Sequence, residues 1–491
     1  MNNQEKIKLV NKKIIELKKI AEDALHAKCY DRAMDAVAVC AYLMYSINQV
    51  YKDDDLEKMV SNISQSNIFK VNELYNADKR MVLFYDGFGL DLRGLAVTAT
   101  RGIVAAGWNL IYVTRKEAVG SIPHIVKELQ PYNATIIYID MKDRCRWAQD
   151  LNNVIQQYRP VVAFFYTTPD DVSGAAVFSA YKGKIKRIQI DLTDHAFWLG
   201  TGSVDYITEM RELGISNAVY HRGFRKEQIE FMDALCYINR DICTTPLPFD
   251  IFRSKYIFSG GSLYKTLGDE ELLFYKIVDY ILKKYLNIYF LYAGIGDDSQ
   301  IKILQNKYAG RVFLIDERPD FFRLIENCEF FLNTYPMFGG MMMRYAALAG
   351  KLPVTLRHDN DANGMLYNQS SLGIEYETFD ELIEEIDKLL TDEEYRKNKE
   401  ENIKKAVMTE EVFVKQIDKL ISDVISGNES GYVSVVPDCI DTEKFRYEYI
   451  ERFDYNRWLN DNLYTKKNRS LVKYFFMGFL RKFVRKVLKS L

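Results

Sequence analysis

Short, continuously apolar runs alternate with stretches of helical period through most of this chain. From Met81 the runs are MVLFYD (Met81–Asp86), NLIYVT (Asn109–Thr114), ATIIYID (Ala134–Asp140), VVAFFYTT (Val161–Thr168) and IKRIQIDLT (Ile185–Thr193), with helical segments such as LRGLAVTATRGIVAAG between them. A strand that is apolar throughout, rather than at alternate positions, is buried on both faces, and an intervening helix returns the chain to start a parallel neighbour. A second cycle starts at KYIFSGG (Lys255–Gly261). It continues through a helix from Asp269 to Tyr285, then NIYFLYAG (Asn287–Gly294), VFLID (Val312–Asp316), EFFLNTY (Glu329–Tyr335) and LPVTL (Leu352–Leu356). Pro246 and Pro248 in TTPLPFD (Thr244–Asp250) suit a linker between the cycles. The pattern predicts an α/β chain with two doubly wound domains, 79–250 and 251–427, and a ligand in a cleft they share.

The two ends differ from this. Residues from about Glu5 to Lys70 have helical period, with Ala24, Ala27, Ala33, Ala36 and Ala38 available for close contact. Residues 1–78 are therefore expected to form a helical hairpin resembling a single tetratricopeptide unit, which cannot bury its own face and must dock on the adjoining domain. The tail, 428–491, closes on KKNRSLVKYFFMGFLRKFVRKVLKSL (Lys466–Leu491). There Leu471, Phe475, Phe476, Phe479, Leu480, Phe483, Val484 and Val487 share one side, and Lys473, Arg481, Lys482, Arg485, Lys486 and Lys489 crowd the rest. Such a basic amphipathic helix suits an anionic membrane surface. Packing on the domains or on a second subunit, in a homo-oligomer, is the alternative, as is an RNA-binding tail.

Composition narrows the class. At 491 residues the chain exceeds one ordinary core, and 48% hydrophobic with 27% charged residues is globular. A formal net charge of -2 argues against a nucleic-acid binder, because basic excess supplies most of that affinity. The seven cysteines (Cys29, Cys40, Cys145, Cys236, Cys243, Cys328, Cys439) are scattered and form no CxxC pair, as reduced thiols of a cytosolic protein would. MNNQEKIKLVNKKIIELKK lacks the apolar centre of a signal peptide, and no run approaches the ~18 apolar residues of a membrane span. A cytosolic protein, peripheral on the inner face of the membrane, is expected.

The candidate chemistry lies late in the chain. LNTYPMFGGMMMRYAALAGKLPV (Leu332–Val354) has the order buried strand, glycine turn, helix start. Backbone N–H groups freed at a helix N-terminus can hold a phosphate, and Gly339 and Gly340 would let it come close. FSGGSLYKTLGDEE (Phe258–Glu271) puts Gly260, Gly261 and Lys265 after the first strand of the same domain. Two successive Rossmann-like domains with the ligand turn in the second resemble glycosyltransferases of the GT-B fold, over about Met81 to Ile425. YAGIGDDSQIKIL and VFLIDERPDFFRLIENCEFFLNTYPMFGG carry the resemblance, whose layout is nearest the O-GlcNAc transferase and bacterial protein N-glycosyltransferase branch.

That resemblance implies a nucleotide-diphosphate sugar as donor, a UDP-sugar first among them, and no other cofactor. Gly260 and Gly261 would approach the phosphates, Lys265 would neutralise them, and Gly339, Gly340, Met341 and Met342 would donate backbone N–H groups. The acceptor would be a hydroxyl on a surface polysaccharide, a lipid-linked glycan or a protein. Retaining members often carry two glutamates eight positions apart around this turn; here there is no such pair, and Arg344 stands where an acid is expected. This favours an inverting enzyme, with Arg344 either on phosphate or in a structural ion pair.

Inversion needs a base, and histidine titrates in the right range. Of the five histidines, His195 in DLTDHAFWLGTGSVDY is expected at the carboxyl end of a strand beside Asp191, Asp194 and Trp198. The same segment resembles the acceptor-domain loop of that branch. His221 in VYHRGFRKEQ is expected after a short strand, where with Arg222 it would reach substrate; His26, His124 and His358 suit structural roles. Asp86-Gly87-Phe88-Gly89 and Asp91-Leu92-Arg93-Gly94 form the first strand-to-helix loop. Gly87, Gly89, Asp91 and Arg93 are therefore acceptor candidates and Asp86 an alternative base, with an ordinary tight turn as the plainer reading. Aspartates at Asp53–Asp55, Asp170–Asp171 and Asp297–Asp298 lack a strand-end DxD context, so no metal is expected, and the first group suits a helix cap. Helix dipoles and basic residues would then stabilise the leaving group. A nucleotide-sugar epimerase and an inactive transferase fold serving as a binding or assembly module remain as alternatives.

Overall fold

The computed structural model describes residues 2–89, 95–132, 134–140, 142–232, 236, 238, 243–358, 366, 372–427 and 436–490. The chain divides into two compact units, 1–232 with 410–491, and 233–409.

The first unit is built on a parallel sheet of β1 (Asp78–Asp86), β2 (Asn109–Arg115), β3 (Thr135–Ile139), β4 (Pro160–Tyr166), β5 (Lys186–Ile190), β6 (Tyr206–Glu209) and β7 (Ile229–Phe231). Their order is β3-β2-β1-β4-β5-β6-β7. Val82, Leu83, Phe84 and Tyr85 of the central strand are all buried, as an unbroken apolar run requires. β7 escapes the apolar-run signal because it is three residues long with Glu230 at its centre.

The N-terminal segment forms three helices, Asn3–His26, Tyr30–Ile47 and Asp54–Ser64, one more than a hairpin. Asp53 caps the third by accepting the Leu56 N–H at 3.0 Å. These helices are no loose appendage. Their buried residues Leu17, Val37 and Leu56 belong to the same apolar cluster as Leu83 and Phe165 of the sheet and Trp458 and Leu471 of the C-terminal tail.

Helix Glu410–Ser426, which the sequence pattern assigns to the second domain, lies with the first unit. Phe413 presses on Gly102 of helix Ala96–Ala105, where a Cβ would stand 2.6 Å from the ring. Arg101 pairs with Glu410 at 2.7 Å. The linker prolines and the end of helical period, which suggest boundaries at 250 and 427, carry no information on where a helix packs.

The second unit holds β8 (Lys255–Gly260), β9 (Ile288–Ala293), β10 (Val312–Ile315), β11 (Phe331–Leu332), β12 (Pro353–Leu356) and β13 (Glu375–Tyr376). Their order is β10-β9-β8-β11-β12-β13, again all parallel. Ile257 enters one apolar layer while Tyr256 and Phe258 enter the other, the two-residue period of a strand covered on both faces. No helix among the described residues is long and apolar enough to cross a membrane.

The Phe413–Gly102 contact ties the late helix to the first unit. Phe413→Ala should lower unfolding free energy by about 3–5 kcal/mol, as loss of a buried aromatic does. Urea unfolding reads this directly, and a midpoint unchanged from the parent would mean the helix is not held there.

Candidate functional site

In each sheet the first strand lies between the second and fourth, β1 between β2 and β4, and β8 between β9 and β11. Connections leave in opposite directions at that point, so the loops beyond the two central strands part and open a crevice at their carboxyl ends. The residues placed there are Asp86–Gly89 and 167–171 in the first unit, and 260–266 and 333–340 in the second.

The second-unit crevice is organised by Asn333, which is buried at the end of β11. Its Oδ1 accepts the N–H groups of Thr334 (3.0 Å) and Gly339 (2.9 Å), and its Nδ2 donates to Thr355 Oγ1 at 3.3 Å. Thr334 Oγ1 donates to the Met337 carbonyl at 2.6 Å. The turn so fixed delivers the N-terminus of helix Gly340–Leu348. On the opposite loop, Lys265 accepts the Met337 N–H on its carbonyl at 3.2 Å, and its Nζ lies 3.5 Å from the Phe338 carbonyl. Burial alone pulls the Lys265 pKa down, and among the described residues no carboxylate pairs with it.

Lys265 thus lies against the turn that leads into helix Gly340–Leu348, while other expected phosphate ligands are differently engaged. The Gly339 amide is committed to Asn333, so it holds the turn rather than an anion. Gly260 lies under Met342, whose Cε would be 3.5 Å from an added Cβ. Gly261, at φ +132°, donates to the Ala293 carbonyl at 2.9 Å, and a Cβ on Gly294 would stand 1.9 Å from its oxygen. That pair of glycines serves the close approach of two loops. Arg344, in the second turn of that helix, is only 1% exposed. His358, expected to be merely structural, stands at the end of β12 with its ring edge-on to Tyr335 of the turn, 5.4 Å between centroids. Its position after a strand was the signal for it.

In the first unit Asp86 is fully buried and accepts from the Tyr112 hydroxyl and the N–H groups of Phe88 and Gly89. Burial pushes its pKa up to about 6 against those donors. With its oxygens engaged and no solvent contact, Asp86 anchors the turn and is not placed as a base. Gly89 has φ +61°, which the turn requires, and Gly87 donates to the Tyr166 carbonyl. Asp91 and Arg93 lie outside the described residues.

Beside that turn a cavity of about 820 Å³ opens, walled by Gly87, Arg115, Asp140, Trp147, Asp170 and Asp171 at the strand ends and by Lys466, Lys467 and Arg469 of the tail. Arg144 bridges its rim, donating to Asp35 at 2.6 Å, the Lys467 carbonyl at 3.2 Å and Asn468 Oδ1 at 3.0 Å. Asp171 accepts from the Tyr85 hydroxyl and the Gly174 N–H, and burial pushes it up to about 7. Read in sequence only as half of an acidic pair, it acquires this character from the sheet beneath it.

His195 follows β5 but does not line the cavity. Its Nδ1 is 3.2 Å from Asp194 Oδ1, and the half-buried ring stands edge-on to Phe445. Burial would raise Asp194, but Arg211, bound through Nε and Nη2, outweighs it and holds the carboxylate well below its usual range. Arg222 is buried and donates to the carbonyls of Thr193, Asp194 and Ala196, so it latches the His195 loop rather than reaching a ligand. His221 follows helix Glu212–Tyr220, not a strand, and stacks on Tyr51 at 5.0 Å. Burial, then Arg446 and Arg222, lower its pKa and keep it neutral. Among the described residues no three His, Cys, Asp or Glu side chains gather to hold a metal.

No family model and no curated protein matches the chain. Solved structures match it in fold. A UDP-N-acetylglucosamine 2-epimerase is 12% identical over 74% of this chain and 100% of its own, with a TM-score of 0.51. The UDP-GlcNAc 2-epimerase from Neisseria meningitidis, bound to UDP-GlcNAc, is 13% identical over 71% and 100%, at 0.50. A Thermobaculum terrenum O-GlcNAc transferase mutant is 12% identical over 92% and 85%, at 0.47. At this identity the likeness is one of fold: the chain has the two Rossmann-like domains of the GT-B class.

The buried charges around the His195 loop give a pH test. Three acids, Asp191, Asp194 and Glu209, face two guanidinium groups, Arg211 and Arg222. Glu209 is the one left over: burial, then Asp191 and Asp194, raise it well above its ordinary 4.5, and among the described residues neither oxygen has a hydrogen-bond partner. The folded state keeps a proton that the unfolded chain releases near pH 4.5, so this group costs stability increasingly as pH rises above that value. Glu209→Gln should therefore gain in Tm over the parent progressively from pH 5 to pH 8 and match it near pH 4. A constant difference across that range, by scanning calorimetry, would mean Glu209 is ionised in the fold.

Proposed function

We propose that the protein is a glycosyltransferase that takes a sugar from a nucleotide-diphosphate donor and passes it to a hydroxyl. One observation carries this reading: a half-buried Lys265, with no carboxylate partner among the described residues, stands against the turn that opens helix Gly340–Leu348 at the strand switch point of the second unit. A lysine desolvated without a counter-charge is costly, and a helix N-terminus attracts anions. A diphosphate satisfies both, and as leaving group it would be stabilised there by Lys265 and the amides of Gly340, Met341 and Met342.

The first unit supplies a reason to prefer transfer. Its cavity, lined by charges of both signs and Trp147, suits a polar acceptor with a hydroxyl to activate. His195, with its Nδ1 turned to Asp194, stays in the proposal as the base for the part of the acceptor outside the cavity lining. Asp171, like Asp86, has both oxygens engaged and holds the cavity wall. Inversion and independence of metal belong to the same proposal, as does action in the cytosol. The epimerase names of the structures matched in fold favour a second reading, rearrangement of the sugar on its own nucleotide.

Titration calorimetry with uridine, guanosine and cytidine diphosphates tests the core of the proposal. One of them should bind, and Lys265→Ala should weaken it by about 10–100-fold, the ~1.5–3 kcal/mol of a hydrogen bond to a charged group. Binding by none, or equal affinity in the variant, would remove the diphosphate site. Product analysis with the donor sugar alone then separates the reactions: a new epimer without acceptor would give the second reading precedence.

A further inference from the structure

The C-terminal helix Arg469–Ser490 faces in two directions. Leu471 is buried and Phe475 packs on the first-unit core with Lys13 over its ring, so these two do not belong to a free face. Phe476 and Phe479 are instead 60% and 67% exposed, with Met477 and Leu480 beside them. Positions 476, 479 and 480 fall on one helix face, and in sequence Phe483 and Val487 continue the same spacing. From Lys466 to Leu491 the chain has nine Lys or Arg and no Asp or Glu. Exposed phenylalanines within a segment of purely positive charge complement one kind of surface above others, an anionic lipid headgroup layer over hydrocarbon.

The same segment is a wall of the cavity. Lys466, Lys467 and Arg469 line it, and the Ser470 N–H donates to Asp35 at 3.2 Å, fastening the first turn of the helix to the rim. Phe476 is seven residues beyond Arg469, roughly 10 Å along the helix axis. We infer that this tail seats the protein on an anionic bilayer, and that the cavity whose rim it forms takes an acceptor anchored in that bilayer. Docking stands independently of the proposed activity; the acceptor's class rests on the transferase reading.

The experiment uses the full chain, its Phe476→Ser/Phe479→Ser variant, and vesicles of phosphatidylcholine with or without phosphatidylglycerol, some carrying a phospholipid with a photoreactive headgroup. The parent should sediment with anionic vesicles only, less so in high salt, and the variant should lose at least about tenfold in affinity, because two phenylalanines no longer leave water. Headgroup cross-links should map to 466–480, spanning the cavity rim. Tm and nucleoside diphosphate affinity should match between the two proteins, which separates failure of docking from failure of the diphosphate site. A parent that stays in the supernatant, a variant that binds undiminished, or a parent whose self-association is lost in the variant without lipid binding would each overturn the docking. Cross-links confined to segments away from 466–480 would overturn the lipid-anchored acceptor.

Discussion

Everything functional in this molecule depends on the reversal of strand order beside β1 and β8. Connections between parallel strands are right-handed, so a sheet that grows first one way and then the other must send its helices to opposite faces. The loops at the reversal have no common neighbour and separate. In the second unit the gap would be only an irregular notch if Asn333 did not fold the chain back on itself. One side chain accepts two amides and donates to Thr355, so the residues before Gly340 cannot wander and the helix tip is presented in one orientation. Lys265 is held against the same turn by its own carbonyl. The cation is therefore placed by backbone contacts and not by a carboxylate, which leaves its charge available.

The first unit solves a different problem. Its loop after β5 is long, with the apolar run Ala196–Leu199 between polar stretches, and would have many conformations in water. Arg222 removes most of them by donating to three of its carbonyls while its guanidinium lies over the rings of Tyr51 and Trp198. Burying that arginine requires opposite charge nearby, which Asp191 and Asp194 supply, and Arg211 is added outside them. Gly214 completes the arrangement because any larger residue would collide with Glu209. His195 is oriented by this network, so its direction is a property of the buried charges and not of the loop.

The parallel sheets were legible because a completely apolar strand is stable only where both its faces are covered, and the order strand, glycine, helix marked the loops that meet at each switch point. The helix start at Gly340 falls in the turn that order marked, while Asn333, which organises the turn, was not among the candidates. The finer assignments failed where residue type misleads. Glycines at 260, 261 and 339 look like ligand contacts, yet Gly260 makes room for Met342, Gly261 supplies a φ of +132°, and Gly339 donates its N–H to Asn333. Arg222 looks like a binding residue beside His221, but only tertiary packing reveals that both belong to a helix end turned toward Tyr51. Asp171 was invisible because its pKa depends on Tyr85 and on burial, neither of which is local in sequence.

The two units also differ in what makes their candidate sites. The candidate site of the second unit uses only residues of the sheet loops and of one following helix. The cavity in the first unit is walled partly by segments outside the parallel sheet, Asp35 near one end of the chain and 466–470 near the other, joined by Arg144. The Arg144–Asp35 pair is nearly buried, and burial raises Asp35 against the pull of that arginine, so the joint gives little net stability. Its effect is positional: without it the tail has no reason to turn at Asn468 and pass the cavity mouth. The candidate site of the second unit is therefore determined by a fold shared with distant structures, while the cavity's shape in the first unit depends on segments beyond the parallel sheets.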